Sequence, residues 1–327
     1  VLQNRPVAFF DSGIGGLTAV LNFLELSPGE DVLYFADEAN MPYGNKSFEE
    51  VLENLLWGIS FLKNFDPKLI VIACGTASSI LNLEELKIEE STSCPVLKAI
   101  TPACGAANKI TKNKRVGIIA TKATIETHSY RDILLDINPC LEIFEKDCPE
   151  LASIIERKFT TDLVLDDINY KSVDFTKEFL NLKNSKPDTS SFKYKNIHLL
   201  DEKPPIFFDD KDKDTINDYL TFFKDKDIDV LILGCTHYPL AESYISDFFG
   251  KNVSIVSASK EIAKEAFSIL NEENFHLKRG KAATFTAYTT GSEETFYKKA
   301  KIILCKKNFK SFAVKNVKKM VLEKIRV

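Results

Sequence analysis

No apolar run in the 327 residues approaches the roughly 20 consecutive positions that a membrane-spanning helix requires. Basic charge is not in surplus either. Forty-three Lys and Arg stand against 47 Asp and Glu, a net charge of −4, which leaves no electrostatic footprint for nucleic acid. The seven cysteines, Cys74, Cys94, Cys104, Cys140, Cys148, Cys235 and Cys305, are odd in number, and no two sit at C-x-x-C spacing. A disulfide framework is therefore not expected. His128, His198, His237 and His276 are too dispersed in sequence for a zinc motif. Val1–Phe10 has one Arg and no long apolar core, unlike a secretory signal, so a reducing, cytoplasmic setting is the expectation.

What remains is an ordinary globular balance, 44% hydrophobic and 28% charged, over a length that favours two domains. Short apolar runs alternate with longer amphipathic stretches, which predicts βα units around mainly parallel sheets. The strand candidates are Val7–Phe10, Val32–Phe35, Leu69–Ala73, Val116–Ala120, Leu141–Phe144 and Val230–Leu233. Each is brief and continuously apolar, as strands covered on both faces should be. Phe48–Asn64 and Ile125–Leu135 carry helical periodicity. Between Thr160 and Asp227 the chain turns polar, with a Pro204-Pro205 pair and the run FFDDKDKDTIND; part of it reads as a surface excursion. The lysine-rich tail from Lys298 is expected to end in a surface helix.

Two units echo one another. Phe65–Thr76 reads FDPKLIVIACGT and Lys226–His237 reads KDIDVLILGCTH. Each has a charged lead-in, an apolar strand, then a cysteine with a threonine close behind. Val7–Gly13 (VAFFDSG) and Val116–Thr121 (VGIIAT) form a second, weaker echo. Two similar halves place ligands where the carboxyl ends of their strands meet. Cys74 precedes a helical pattern starting near Ser78, and backbone N–H groups at a helix N-terminus favour a thiolate and receive anions. Cys235 has His237 two residues on, an imidazole able to hold or orient a thiol proton. Either cysteine alone is compatible with a buried small hydrophobe, and Cys235 with His237 alone is compatible with a hydrolase nucleophile. Two thiols in mirrored settings suggest a pair of bases instead. Inverting a stereocentre takes a proton from one face and returns one to the other, and a thiol's ordinary range near 8.5 allows one to be thiolate while the other is thiol.

The loop Asp11-Ser12-Gly13-Ile14-Gly15-Gly16 lacks both G-x-G-x-x-G spacing and a Gly-Lys-Ser/Thr ending, so it is not a phosphate loop. Asp11 can receive an ammonium, and Ser12 with the loop backbone can donate to a carboxylate. Pro42-Tyr43-Gly44 after Asp37 offers backbone donors and a phenol.

In order, DSGIGGLT, PYG, IACGTAS, GIIATKATI, DCPELASIIE, LILGCTHYPL and YTTGS resemble the glutamate racemase family over roughly Arg5–Glu156 and Ile228–Leu304. The resemblance implies an α/β fold of two pseudo-symmetric domains, residues 1–99 with 257–327 and residues 100–256, the latter carrying the polar insertion around 160–215. The site would lie between them. It implies Cys74 and Cys235 as the two bases, on the D and L enantiomer respectively, with Asp11 and His237 assisting and Glu156 beside the second thiol. Ser12, Pro42, Tyr43, Gly44, Gly75, Thr76, Thr121, Thr124 and Thr236 would lie near the substrate. It further implies interconversion of L- and D-glutamate for peptidoglycan, with no cofactor and no metal, and makes a homodimer the assembly to test. A racemase of aspartate or another small amino acid, and a racemase-like binding or regulatory protein, stay open. Gly75 departs from the family's usual Asn, and a lost hydrogen bond to a charged group costs roughly 1.5–3 kcal/mol. On sequence grounds, restoring Asn at position 75 is expected to tighten substrate binding. The insertion is also longer than the family norm.

Overall fold

Every one of the six expected apolar runs contributes a strand. The computed structural model describes residues 4–83, 92, 94–158, 206, 208–273, 283–304, 309 and 311–317. Its first half is built from β1 (Val7–Asp11), α1 (Leu17–Leu26), β2 (Val32–Ala36), α2 (Phe48–Lys63), β3 (Leu69–Ile72), α3 (Gly75–Leu83) and β4 (Val96–Lys98). After α4 (Ile100–Ile110) come β5 (Arg115–Ala120), α5 (Lys122–Glu126), α6 (Ser129–Ile137), β6 (Glu142–Asp147) and α7 (Leu151–Lys158). Then follow α8 (Asp210–Thr221), β7 (Val230–Leu233), α9 (Glu242–Phe249), β8 (Ser254–Ser257) and α10 (Ala258–Glu272). The chain returns to the first half with β9 (Thr284–Thr289), α11 (Glu293–Ile303) and β10 (Ser311–Asn316).

The strands form two sheets in which neighbours run parallel, one in the order β10-β9-β2-β1-β3-β4 and the other β6-β5-β7-β8. The run β2-β1-β3-β4 of the first is repeated as β6-β5-β7-β8 in the second. Thus β3, before Cys74, and β7, before Cys235, hold equivalent places, each beside its sheet's first strand. In both sheets the chain reverses direction of growth at that first strand, and the crevice beyond such a reversal is where open α/β sheets hold ligands.

β1, β2, β3 and β7 are buried along their whole length, as helices on both faces require. α2 begins at a reciprocal cap in which the Ser47 hydroxyl accepts from the Glu50 N–H and the Glu50 carboxylate accepts from the Ser47 N–H. One apolar cluster runs through both halves, from Val7, Phe9 and Tyr34 to Leu231, Leu233 and Tyr238.

Two sequence expectations change. The strand read at Leu141–Phe144 runs to Asp147, because β6 is an edge strand whose partly exposed Lys146 and Asp147 meet solvent. The charged run from Asp209 is no surface excursion: Asp209 caps α8, and that helix buries Ile216 and Leu220. Residues 160–205 of the expected insertion lie outside the described residues. The tail contains β10, a parallel strand beside β9, and residues 318–327, where the sequence predicts a closing surface helix, lie outside the described residues. No described helix is long and apolar enough to cross a membrane.

Candidate active site

Cys74 follows β3 and Ala73, and α3 starts at Gly75 rather than near Ser78, so the thiol stands at the helix N-terminus itself. Its Sγ lies 3.8 Å from the Ser12 hydroxyl. Burial and then the Asp11 charge push the thiol up to about 12, against the pull of the Ala77 N–H and Ser12. Asp11, at the end of β1, is fully buried and accepts from the Gly13 N–H at 2.9 Å. Burial raises its carboxyl to about 6, with the His237 charge and the Gly13 and Thr236 donors acting in the opposite direction.

The other half supplies Cys235 after β7 and Gly234. Its Sγ is 3.9 Å from His237 Nδ1, and His237 Nε2 bonds the Glu156 carboxylate at 2.8 Å. Burial alone would depress His237, but its bonds to Cys235 and Glu156 hold it well above the ordinary imidazole range. Glu156 is itself pushed upward by burial, yet His237 and Lys299 win and keep it below the usual carboxylate range. Lys299 Nζ donates to Glu156 Oε1 at 2.5 Å, and the lysine side chain is only 7% exposed.

Both thiols line one cavity of about 240 Å³. Ser12, Pro42, Tyr43 and Gly44 enter it from the first half with Gly75 and Thr76, and Thr121, Glu156, Thr236 and His237 from the second. Asp11 and Thr124 stand behind that lining. A hydroxyl chain crosses between the halves, Thr76 to Thr121 at 2.9 Å and Thr121 to Thr124 at 2.8 Å. The Tyr43 hydroxyl is already engaged, donating to Asp37 at 2.7 Å, so Tyr43 presents ring and backbone rather than a free phenol. Gly15 allows the loops to meet, since a Cβ there would lie 2.4 Å from Thr236 Oγ1 and 2.6 Å from His237 Nδ1.

Sequence reasoning missed Met41, Ala152, Ser153 and Arg157 in the lining, and Lys299 behind it. α7 carried a readable signal, since Ala152, Ser153 and Glu156 within DCPELASIIE, with Arg157 just after it, recur at helical spacing. Among the described residues no group of three or more His, Cys, Asp or Glu side chains has an arrangement able to hold a metal ion.

No family model matches the chain. Whole-length relatives do. Glutamate racemase 2 of Caldanaerobacter subterraneus subsp. tengcongensis is 33% identical, with 96% of this chain and 98% of the relative covered. The glutamate racemase of Thermoanaerobacter pseudethanolicus is 32% identical over 94% of this chain and 96% of its own length. A crystal structure of a glutamate racemase isoform from Bacillus anthracis superposes with a TM-score of 0.75 at 28% identity, covering 97% of this chain and 98% of that one. The Francisella tularensis glutamate racemase, solved in complex with D-glutamate, gives 0.73 at 27% identity over 96% and 98%. A cavity shared by two thiols at equivalent strand ends, on a chain matched end to end by these isomerases, leads to one assignment: the chain belongs to the glutamate racemase family.

Proposed function

We propose that Cys74 and Cys235 are the opposed acid/base groups of a cofactor-independent interconversion of L- and D-glutamate. The observation that carries this reading is the entry of one thiol from each half into the same cavity, at equivalent positions after β3 and β7. One thiolate removes the Cα proton, the electron pair is held by the substrate carboxylate as an enolate, and the other thiol delivers its proton to the opposite face. The first thiol then carries the substrate's proton, so the enzyme is left with its protonation reversed.

Substrate binding sets up the ionisation. In the free site the Asp11 charge helps to keep Cys74 protonated. An ammonium bound in the cavity, with Asp11 behind its lining, offsets that charge and brings the thiol within reach of deprotonation. On the other side His237 takes the Cys235 proton while Glu156 holds the imidazolium. Ser12, Thr76, Thr121 and Thr236, with the Gly44 backbone, supply donors for the two substrate carboxylates. Residues 1–99 with 257–327, and residues 100–256, act as the two halves that close on the substrate, and the D-glutamate formed would serve peptidoglycan synthesis.

The test is incubation with L-glutamate in deuterium oxide, following circular dichroism and Cα-proton loss together. Racemisation with solvent deuterium at Cα is expected. Loss of optical activity without exchange would eliminate the two-base reading, and activity confined to aspartate would reassign the substrate.

A further inference from the structure

We infer that Lys299 is a positioning residue for the proposed reaction, supplying the charge that lets Cys235 ionise. The inference rests on the two-base reading and adds a residue to it. Lys299 comes from α11, in the first sheet's half, and reaches across to Glu156 on α7, in the second. A line of contacts then runs from Nζ to Glu156 at 2.5 Å, to His237 at 2.8 Å and to Cys235 Sγ at 3.9 Å. Lysine is rarely buried without a counter-charge, and this one ends at the carboxylate that orients the imidazole.

Charge counting shows what Lys299 does. With neutral His237 and a Cys235 thiol, the lysine and Glu156 balance. Passing the Sγ proton to Nδ1 produces thiolate and imidazolium, and the cluster is balanced again. Without Lys299, the balanced state is carboxylate, imidazolium and thiol, so forming the thiolate leaves an uncompensated negative charge in a buried site. Lys299 therefore answers Glu156 and frees the imidazolium to answer the thiolate.

The other groups facing this cluster do not replace the lysine. Asp11 faces His237, and Glu38 faces both Lys299 and Glu156; neither carboxyl group can supply a positive charge. Cys74, Cys148 and Tyr34 are pushed up by burial and remain protonated. Arg157, next to Glu156, bonds Asp212 instead.

The experiment measures alkylation of Cys235 by iodoacetamide against pH, read by peptide mass spectrometry, in the native chain and in Lys299→Met and Lys299→Arg. Exposed Cys140 serves as the internal control. Met is expected to move the Cys235 profile upward by about one pH unit, so the rate on its rising limb falls roughly tenfold, the scale of one charge at this range in a protein of effective dielectric about 20. Arg is expected to restore the profile, and Cys140 to stay unchanged. The double variant Lys299→Met with Glu156→Gln removes both charges and is expected to return the profile toward native; it carries the test should the single variant not fold. An unshifted profile in Lys299→Met, or a double variant shifted upward, overturns the inference. Alkylation needs no turnover, so a protein that fails to racemise glutamate refutes the proposed function without touching this result.

Discussion

Asp11 is fully buried, and burial raises its carboxyl from about 3.8 to about 6. Below the lower value the folded and unfolded chains both carry the proton, and no difference in stability arises. Above about 6 neither does, and the folded chain bears the full cost of the buried charge, about 3 kcal/mol. Asp11→Asn removes the charge, so its melting temperature is expected to exceed the native one at pH 8, with the gap closing toward pH 4. Racemisation should fall at the same time. Equal melting temperatures at pH 8 would show that Asp11 is better solvated than its burial indicates. For the thiols, Cys74→Ala and Cys235→Ala are each expected to abolish racemisation, and near-native turnover by either would remove that cysteine from the mechanism. The equilibrium constant between enantiomers is one, so native kcat/KM must be equal in both directions. Assigning Cys74 to D-glutamate and Cys235 to L-glutamate therefore needs single-direction deuterium exchange in the Ser variants. At this scale the cysteines, Asp11 and His237 were legible because strand-end thiols in repeated contexts stand out in a sequence. Lys299 was not. In a lysine-rich tail it reads as a solvated charge, and its burial depends on Glu156, 143 positions away.

Strands covered on both faces carry their own signature, which is why β1, β2, β3, β5 and β7 could be read as continuous apolar runs. The edge elements β4 and β8 are only three and four residues long and give too little pattern to separate from loop. β9 alternates buried and half-buried positions along TFTAYT, a period-two signal diluted by small and polar residues. α8 misled for the opposite reason. Its exposed face holds Asp210, Lys211 and Asp214, and this charge hid the stripe of Ile216 and Leu220, which pack with Phe208 and Phe223 in the central cluster. Ile216→Ala is expected to cost about 2–5 kcal/mol, the range for emptying a buried aliphatic site, and should lower the urea midpoint. A change within about 0.5 kcal/mol would return this stretch to the surface. Phe208 is buried in the central cluster, so shortening of the polar insertion must stop before it. Deletion beyond that point takes away the Asp209 cap and the Asp212 pairing with Arg157.

Across the whole molecule, the separation of the two halves is set where their backbones meet, and Gly75 marks that place. A Cβ at position 75 would lie 2.2 Å from the carbonyl oxygen of Gly234, far inside van der Waals contact. That neighbour is backbone on the strand end bearing Cys235, so it cannot rotate aside. An amide at position 75 would be worth roughly 1.5–3 kcal/mol if it reached a charged partner. The structure adds an opposing effect. Any side chain must push α3 away from Gly234, open the cavity and move the thiols apart, and proton transfer through a bound substrate tolerates little such displacement. The steric effect is expected to win. Gly75→Ala, which adds the Cβ without an amide, and Gly75→Asn should each lose at least about tenfold in kcat/KM and about 1–3 kcal/mol of stability, the usual cost of overpacking. If Ala loses activity while Asn gains it, the amide outweighs the displacement and the halves separate at little cost. If both retain native stability and turnover, the close approach at Gly75 does not govern the geometry of the site.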